Sequence, residues 1–262
     1  MTSNKSKGFT LVELLVVISI VSLLMGMLLP SLNRARQQAK SIFCLNNLRQ
    51  MVIAANCYTC SYDDRYPLAY YTERINGIRY YHSWDFTTWK DWSTTPATEV
   101  VKPGLLWQGD TIEKVHQCPS FNGAHNWFAD PYTGYNYNTS YIGMNETVSP
   151  PNSAGTTEIR RPSGTAIFGD GQYSGGANKF MRAPFSNPRD ASFSDPARAA
   201  GTQGYRHLDK TNVAFCDGHA ESTRKIFTNT DSIGQDQLDR YNETHNIKIG
   251  FLSKDNELYD LK

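Results

Sequence analysis

Lys5-Ser-Lys-Gly-Phe-Thr-Leu-Val-Glu-Leu-Leu-Val-Val-Ile-Ser-Ile-Val-Ser-Leu-Leu-Met-Gly-Met-Leu-Leu-Pro30 opens with a short basic flank, a Gly8-Phe9 junction and one carboxylate, Glu13. An apolar run follows from Leu14 to Leu29, broken only by Ser19, Ser22 and Gly26. Phe9 to Leu29 is 21 residues, and a helix needs about 20 to cross the hydrocarbon core of a bilayer. The stretch is long enough to span.

A cleaved secretory signal has a shorter apolar region ending in small residues of the Ala-x-Ala kind. Here the run ends Met27-Leu-Leu-Pro30, with no such site. A plain anchor accounts for the length but leaves Glu13 unexplained, because a carboxylate in lipid is costly. Lys5 and Lys7 before the span are matched by Arg34, Arg36 and Lys40 after it. The positive-inside rule is therefore close to a draw.

Lys7-Gly8-Phe9-Thr10-Leu11-Val12-Glu13-Leu14 resembles the processing site of type IV prepilins and type II secretion pseudopilins. The resemblance implies cleavage by a prepilin peptidase between Gly8 and Phe9, and N-methylation of the new Phe9 amine. It also implies a single-pass protein of the bacterial inner membrane with its N-terminus cytoplasmic. The remaining chain would be periplasmic, or on the cell surface after assembly. Glu13 would be the assembly residue, its charge answered by the positive N-terminus of a neighbouring subunit, which would set the stagger between subunits. The implied partners are the peptidase, other pilin-like subunits and an inner-membrane assembly platform.

Beyond Pro30 the apolar positions Leu32, Ala35, Ala39, Ile42, Leu45, Leu48, Val52 and Ala55 recur every three or four residues, the period of an amphipathic helix. The first hard stop is Asp63-Asp-Arg-Tyr-Pro67. Proline inside a continuing pattern kinks a helix more often than it ends one, so one helix from about residue 10 to 62 is expected. The domain plan is leader 1–8, membrane half 9–29, amphipathic half 30–62 and a β-rich extracytoplasmic domain 63–262. Cys44-Leu-Asn-Asn-Leu-Arg-Gln-Met51 also resembles a segment found at this point in bacterial pseudopilin-like proteins.

Lys+Arg 26 against Asp+Glu 25 leaves a net charge of +1, with no basic block outside the membrane flanks. That argues against nucleic acid as a partner. No paired-carboxylate, Ser-His-Asp or phosphate-loop pattern supports an enzyme. Cys44, Cys57, Cys60, Cys118 and Cys216 are an odd number for an exported chain. Cys57-x-x-Cys60 lies within the helical pattern, without the β-α-β context of a redox site. Cys44 and Cys118 are a candidate disulfide in an oxidising compartment, although connectivity is not legible in sequence.

From Leu68 onward the texture is β. Ala69–Ile75 and Ile78–His82 flank Asn76-Gly77, a pair suited to the two left-handed positions of a type I′ hairpin turn. Trp84, Trp89, Trp92 and Trp107 follow. Aromatics in a β domain are more often core than sugar platform, but they define the alternative function, a membrane-tethered module holding polysaccharide. Cys118-Pro119-Ser120 and Ser140-Tyr-Ile-Gly-Met-Asn145 resemble further segments of the same group, in which the Cys-Pro follows a strand. Residues 121–157 read as surface loop with one buried strand, and Thr165–Gly169 as a short strand ending at Asp170-Gly171. The long stretch 172–204 reads as loop, and Ile247–Leu252 as an edge strand.

Nine residues separate His207 from Asp217-Gly218, which resembles the H-x9-DG segment attached to prepilin-type N-termini in certain bacteria. Asn212–Cys216 and His219–Thr223 read as strands joined by a turn at Asp217-Gly218, with Cys216 facing inward. Two readings stand for His207, Asp217 and His219. One is a metal site joined by Asp170; the other is hydrogen bonding within the hairpin. Some pseudopilins carry structural calcium in this half of the domain, but calcium prefers oxygen ligands, and one Asp among histidines suits it poorly. No cofactor is expected. The fold expected is α+β and pilin-like: a long N-terminal helix, its first half transmembrane, packed on a small antiparallel β-sheet with long loops. The function expected is a structural subunit of a type II secretion pseudopilus or type IV pilus-like filament.

Overall fold

A computed structural model describes residues 9–93, 95–107, 113–124, 130, 132–144, 152–188, 198–230 and 232–262. The chain divides into two units, residues 1–39 and 40–262. Helix α1 runs unbroken from Leu11 to Ser61, with Pro30 inside it. In the first unit its apolar side chains from Leu11 to Leu29 are exposed in the isolated chain. By length and composition α1 is apolar enough to cross a membrane.

Among the described residues the second unit holds three sheets. β1 (Tyr70–Ile75), β2 (Ile78–Ser83), β3 (Phe86–Asp91) and β4 (Thr98–Pro103) form an antiparallel meander. Its first turn puts Asn76 at φ 51° and Gly77 at φ 82°, the conformation that a two-residue hairpin of Asn-Gly adopts most easily. β5 (Asn136–Asn138), β6 (Ala166–Gly169), β7 (Phe180–Met181), β9 (Thr211–Phe215) and β10 (Ala220–Thr223) make a second sheet in the order β10-β9-β6-β5-β7. It is antiparallel apart from the parallel β5–β7 pair. β8 (Gln203–Gly204) pairs with β11 (Ile249–Gly250) as a two-stranded ribbon. The expected single sheet is thus three.

The central sheet has two apolar faces, as period-two alternation requires. Ala214 and Cys216 join one core cluster with Cys44, Leu48, Met51, Val52 and Ala55 of α1. Val213 and Phe215 join the other with Leu238, Ile249, Phe251 and Tyr259. Burying a side chain such as Leu48 or Val52 is worth about 1.5–3 kcal/mol. The buried stripe of α1 is Cys44, Asn47, Leu48, Met51, Val52, Ala55 and Thr59. Ile42, on the expected stripe, is exposed. The buried face is rotated from the apolar stripe and takes in two polar residues, Asn47 and Thr59; Asn47 donates to the Tyr135 hydroxyl at 3.2 Å. Polarity hid them from a hydrophobic pattern.

Four further expectations change. Cys118 follows a short 3-10 turn, Glu113–His116, rather than a strand. The one buried strand expected within 121–157 is β5, but burial extends past it, to 139–140 and 142–144, where surface loop was expected. Within β5, the Asn138 amide donates to the Ala166 carbonyl at 2.8 Å and the Tyr259 carbonyl at 2.9 Å. Within 172–204, β7 and the stretch Ala177–Ala183 are buried. The tail contains a helix, α2 (Ser232–Thr244), which the sequence reading missed, and its strand is shorter than expected. α2 carries only one fully buried apolar anchor, Leu238. Asn242 docks it by pairing with both the N–H and the carbonyl of Ile249, each at 2.8 Å.

Candidate functional site

α1 begins at a capping box. The Glu13 backbone N–H donates to the Thr10 hydroxyl at 3.2 Å, while the Glu13 carboxylate accepts the Thr10 N–H at 2.8 Å and its hydroxyl at 2.7 Å. The reciprocal bonds satisfy donors that a helix start otherwise leaves open. The signal was in the sequence as Thr10-x-x-Glu13, and it gives Glu13 a local partner within its own chain. Phe9 is exposed beside it. Gly8 and the remainder of the leader lie outside the described residues, as does Asn145.

Far along the chain, the second unit gathers residues that looked like two separate features. Cys44 on α1, Cys118 after the 3-10 turn, Asp170 at the end of β6 and His207 before β9 place one ligand atom each within 4.8 Å of one another, all buried. The Cys44 and Cys118 sulfurs are 3.2 Å apart, as thiols. His207 Nε2 lies 3.6 Å from the Cys118 sulfur and 3.3 Å from Asp170 Oδ2. The Arg206 Nε–H donates to Cys118 Sγ at 3.3 Å, and its terminal nitrogen sits 3.4 Å from Asp170 Oδ1. The Asn212 N–H donates to Asp170 Oδ2 at 2.7 Å.

Several local features make this convergence possible. Gly134, at φ +121°, backs directly onto Cys118, where a Cβ would come within 2.6 Å of the Cys118 Cβ. Leu208 and Asp209 both have positive φ, 55° and 60°. They close a turn in which the His207 N–H donates to the Lys210 carbonyl at 3.0 Å and the Lys210 N–H returns the bond at 3.2 Å. Left-handed non-glycine residues cost of order 1–3 kcal/mol each, so packing must hold this turn.

Electrostatics follow the geometry. Burial alone would raise the Cys118 thiol; the hydrogen bond from Cys44, the Arg206 guanidinium and His207 outweigh it and hold Cys118 well below an ordinary thiol. Its partner Cys44 is raised by that same hydrogen bond and by burial. Burial would depress His207, but Asp170 and Cys118 lift it to about 9. The cluster sets two sulfurs, an imidazole and a carboxyl group together, with a guanidinium against them.

Asp217 and His219, which one of the two readings put in a metal site with His207 and Asp170, do not join this group; Asp217 forms the turn, as the other reading had it. They sit at the β9–β10 turn, His219 Nδ1 2.5 Å from Asp217 Oδ1, both partly exposed. Gly218 takes φ +95° there, and the His219 ring stacks on Phe215 at 4.4 Å. Spacing in sequence suggested one site, but the hairpin carries His207 and Asp217 to different places. Cys216 is buried, and its thiol is pushed up to about 12 by burial and by Asp217.

A second buried charge group was not anticipated. Lys179 reaches Asp85 and Asp130, each at 2.9 Å. His116 packs nearby against Trp84 and Phe86, and accepts the Trp107 indole N–H at Nε2. Burial holds the His116 imidazole down to about 4, so it is neutral. Asp85, wedged between Trp84 and Phe86 in a strand-like run, was the only trace of this group in the sequence.

Residues 3–29 match the family model described as the prokaryotic N-terminal methylation motif. The chain carries a prepilin-type N-terminus. No curated protein and no solved structure matches it. Residues 11–29 of the match lie within the apolar half of α1.

Proposed function

We propose that this chain is a pilin-like structural subunit, cut after Gly8 and N-methylated at Phe9. The observation that carries the proposal is the methylation motif at residues 3–29, coincident with the start of α1 and its exposed apolar side chains. Before assembly, lipid covers those side chains. In a filament, neighbouring copies of the same helix replace the lipid, and the product is a type II secretion pseudopilus or type IV pilus-like fibre. Peptidase, fellow subunits and an inner-membrane platform are the partners this route requires. The role is structural rather than catalytic. The sugar-binding alternative gains no support: of Trp84, Trp89, Trp92 and Trp107, Trp84 is core and only Trp92 is among the exposed large side chains.

Mass spectrometry of the protein recovered from cells tests the proposal. The expected N-terminal peptide begins with N-methyl-Phe9, and Gly8→Ala retains the leader. Recovery of the wild-type chain with residues 1–8 attached overturns it.

A further inference from the structure

We propose that Cys44, Cys118, Asp170 and His207 form a zinc site that fastens the second half of α1 to the central sheet. The donor set selects the metal. Two sulfurs, one imidazole nitrogen and one carboxylate oxygen suit Zn²⁺, whereas calcium and magnesium take oxygen ligands.

The spacing fits as well. With Zn–S near 2.3 Å and Zn–N or Zn–O near 2.0–2.2 Å, the edges of a tetrahedron run roughly 3.3–3.8 Å. The separations of 3.6 Å for Cys118–His207 and 3.3 Å for His207–Asp170 lie in that range, and the Cys44–Cys118 sulfurs, at 3.2 Å, would open by about 0.5 Å to reach the edge set by two Zn–S bonds. No pair of ligand atoms exceeds 4.8 Å, so small side-chain rotations close the site.

Charge and surroundings point the same way. With metal bound, both sulfurs as thiolates, the carboxylate and a neutral imidazole would carry three negative charges; Arg206 would supply one positive charge and a divalent cation the other two, so loading would release protons. The Asn212 N–H on Asp170 and the Arg206 Nε–H on Cys118 act as outer partners that fix two of the four ligands, while the second ring nitrogen of His207, Nδ1, is buried without a hydrogen-bond partner among the described residues. The ligands come from four separate parts of the chain, so binding would be coupled to folding. A Cys44–Cys118 disulfide is the rival. It needs the sulfurs at about 2.05 Å and leaves Asp170 and His207 with no part in the bond.

The test uses the full-length processed chain, purified in detergent under anaerobic reducing conditions and stripped of metal. Added Zn²⁺ is expected to bind at one ion per chain and raise the melting temperature, with reversal by a chelator. Co²⁺ in its place should give a thiolate-to-metal charge-transfer band and tetrahedral d–d bands. Both signals should vanish in Cys44→Ser and His207→Gln, and persist in Cys57→Ser and Cys60→Ser. Arg206→Gln, a positioning change, should weaken zinc binding about 10–100-fold while keeping the thiolate band. The proposal is overturned if the wild-type chain gives no thiolate–cobalt band, or if the band survives in both ligand variants. It is equally overturned if protein taken from cells under thiol-trapping conditions is metal-free with Cys44 and Cys118 quantitatively disulfide-linked.

Discussion

The Glu13 carboxylate accepts the backbone N–H of Thr10 at 2.8 Å, three residues upstream in its own helix. That bond gives the acid a purpose in a single chain, and it separates two roles that the resemblance to pilins merges. As a cap, Glu13 needs only an acceptor oxygen; as the answer to a neighbour's amine, it needs charge.

Glu13→Gln keeps the acceptor and removes the charge, while Thr10→Val removes the hydroxyl and keeps the charge. If charge sets subunit stagger, Glu13→Gln is processed normally but enters filaments about tenfold less, or worse. Thr10→Val is expected to assemble within about twofold of wild type, at a capping cost of about 1 kcal/mol. Shear fractionation followed by immunoblotting reads both. Normal assembly of Glu13→Gln would leave the carboxylate as a cap alone.

Leu48→Ala should destabilise the second unit by about 2–5 kcal/mol, since it opens a cavity in a fully buried position. Ile53→Ala, on the exposed face of the same helix, should change stability by no more than about 0.5 kcal/mol. Denaturant unfolding in detergent compares them, and equal effects would refute the burial of this face of α1 against the sheet.

Lys179→Met leaves Asp85 and Asp130 facing each other without their cation. Breaking a buried ion group from one side costs about 3–5 kcal/mol. Replacing all three, with Asn at both carboxylates, should recover much of that loss. A Lys179→Met chain as stable as wild type in thermal melts would show that the two carboxylates are not held by this ammonium.

His116 sets an acid limit. Its folded value, about 4, lies below the ordinary value of 6.5, so the neutral ring stabilises the fold above pH 6.5. That contribution is lost as pH falls towards 4, because the unfolded chain takes up the proton first. At pH 4.5 the loss amounts to about 2–3 kcal/mol. His116→Gln should flatten the slope of unfolding free energy between pH 7 and 4.5. An unchanged slope would assign acid sensitivity to the carboxylates instead.

Sequence by itself determined whatever depends on neighbours along the chain. The membrane-length helix, the Gly8-Phe9 junction, the Asn76-Gly77 turn and the β9–β10 hairpin are all properties of hydrophobic period or local backbone preference, and such terms act within a few residues. The capping box was equally local, and legible in Thr10-x-x-Glu13. Tertiary structure alone decided which face of α1 is buried: Asn47 is acceptable there because packing brings the Tyr135 hydroxyl to it, while Thr59 bonds back to the Asn56 carbonyl of its own helix. It also decided the grouping of functional residues. Cys44 and Cys118 belong with Asp170 and His207 rather than with each other alone, and Asp217 and His219 belong elsewhere. The physical reason is that a cluster drawn from a helix, a turn, a strand end and a strained loop has no period to announce it. Its members become neighbours only when burial of the apolar faces around them brings four distant segments together.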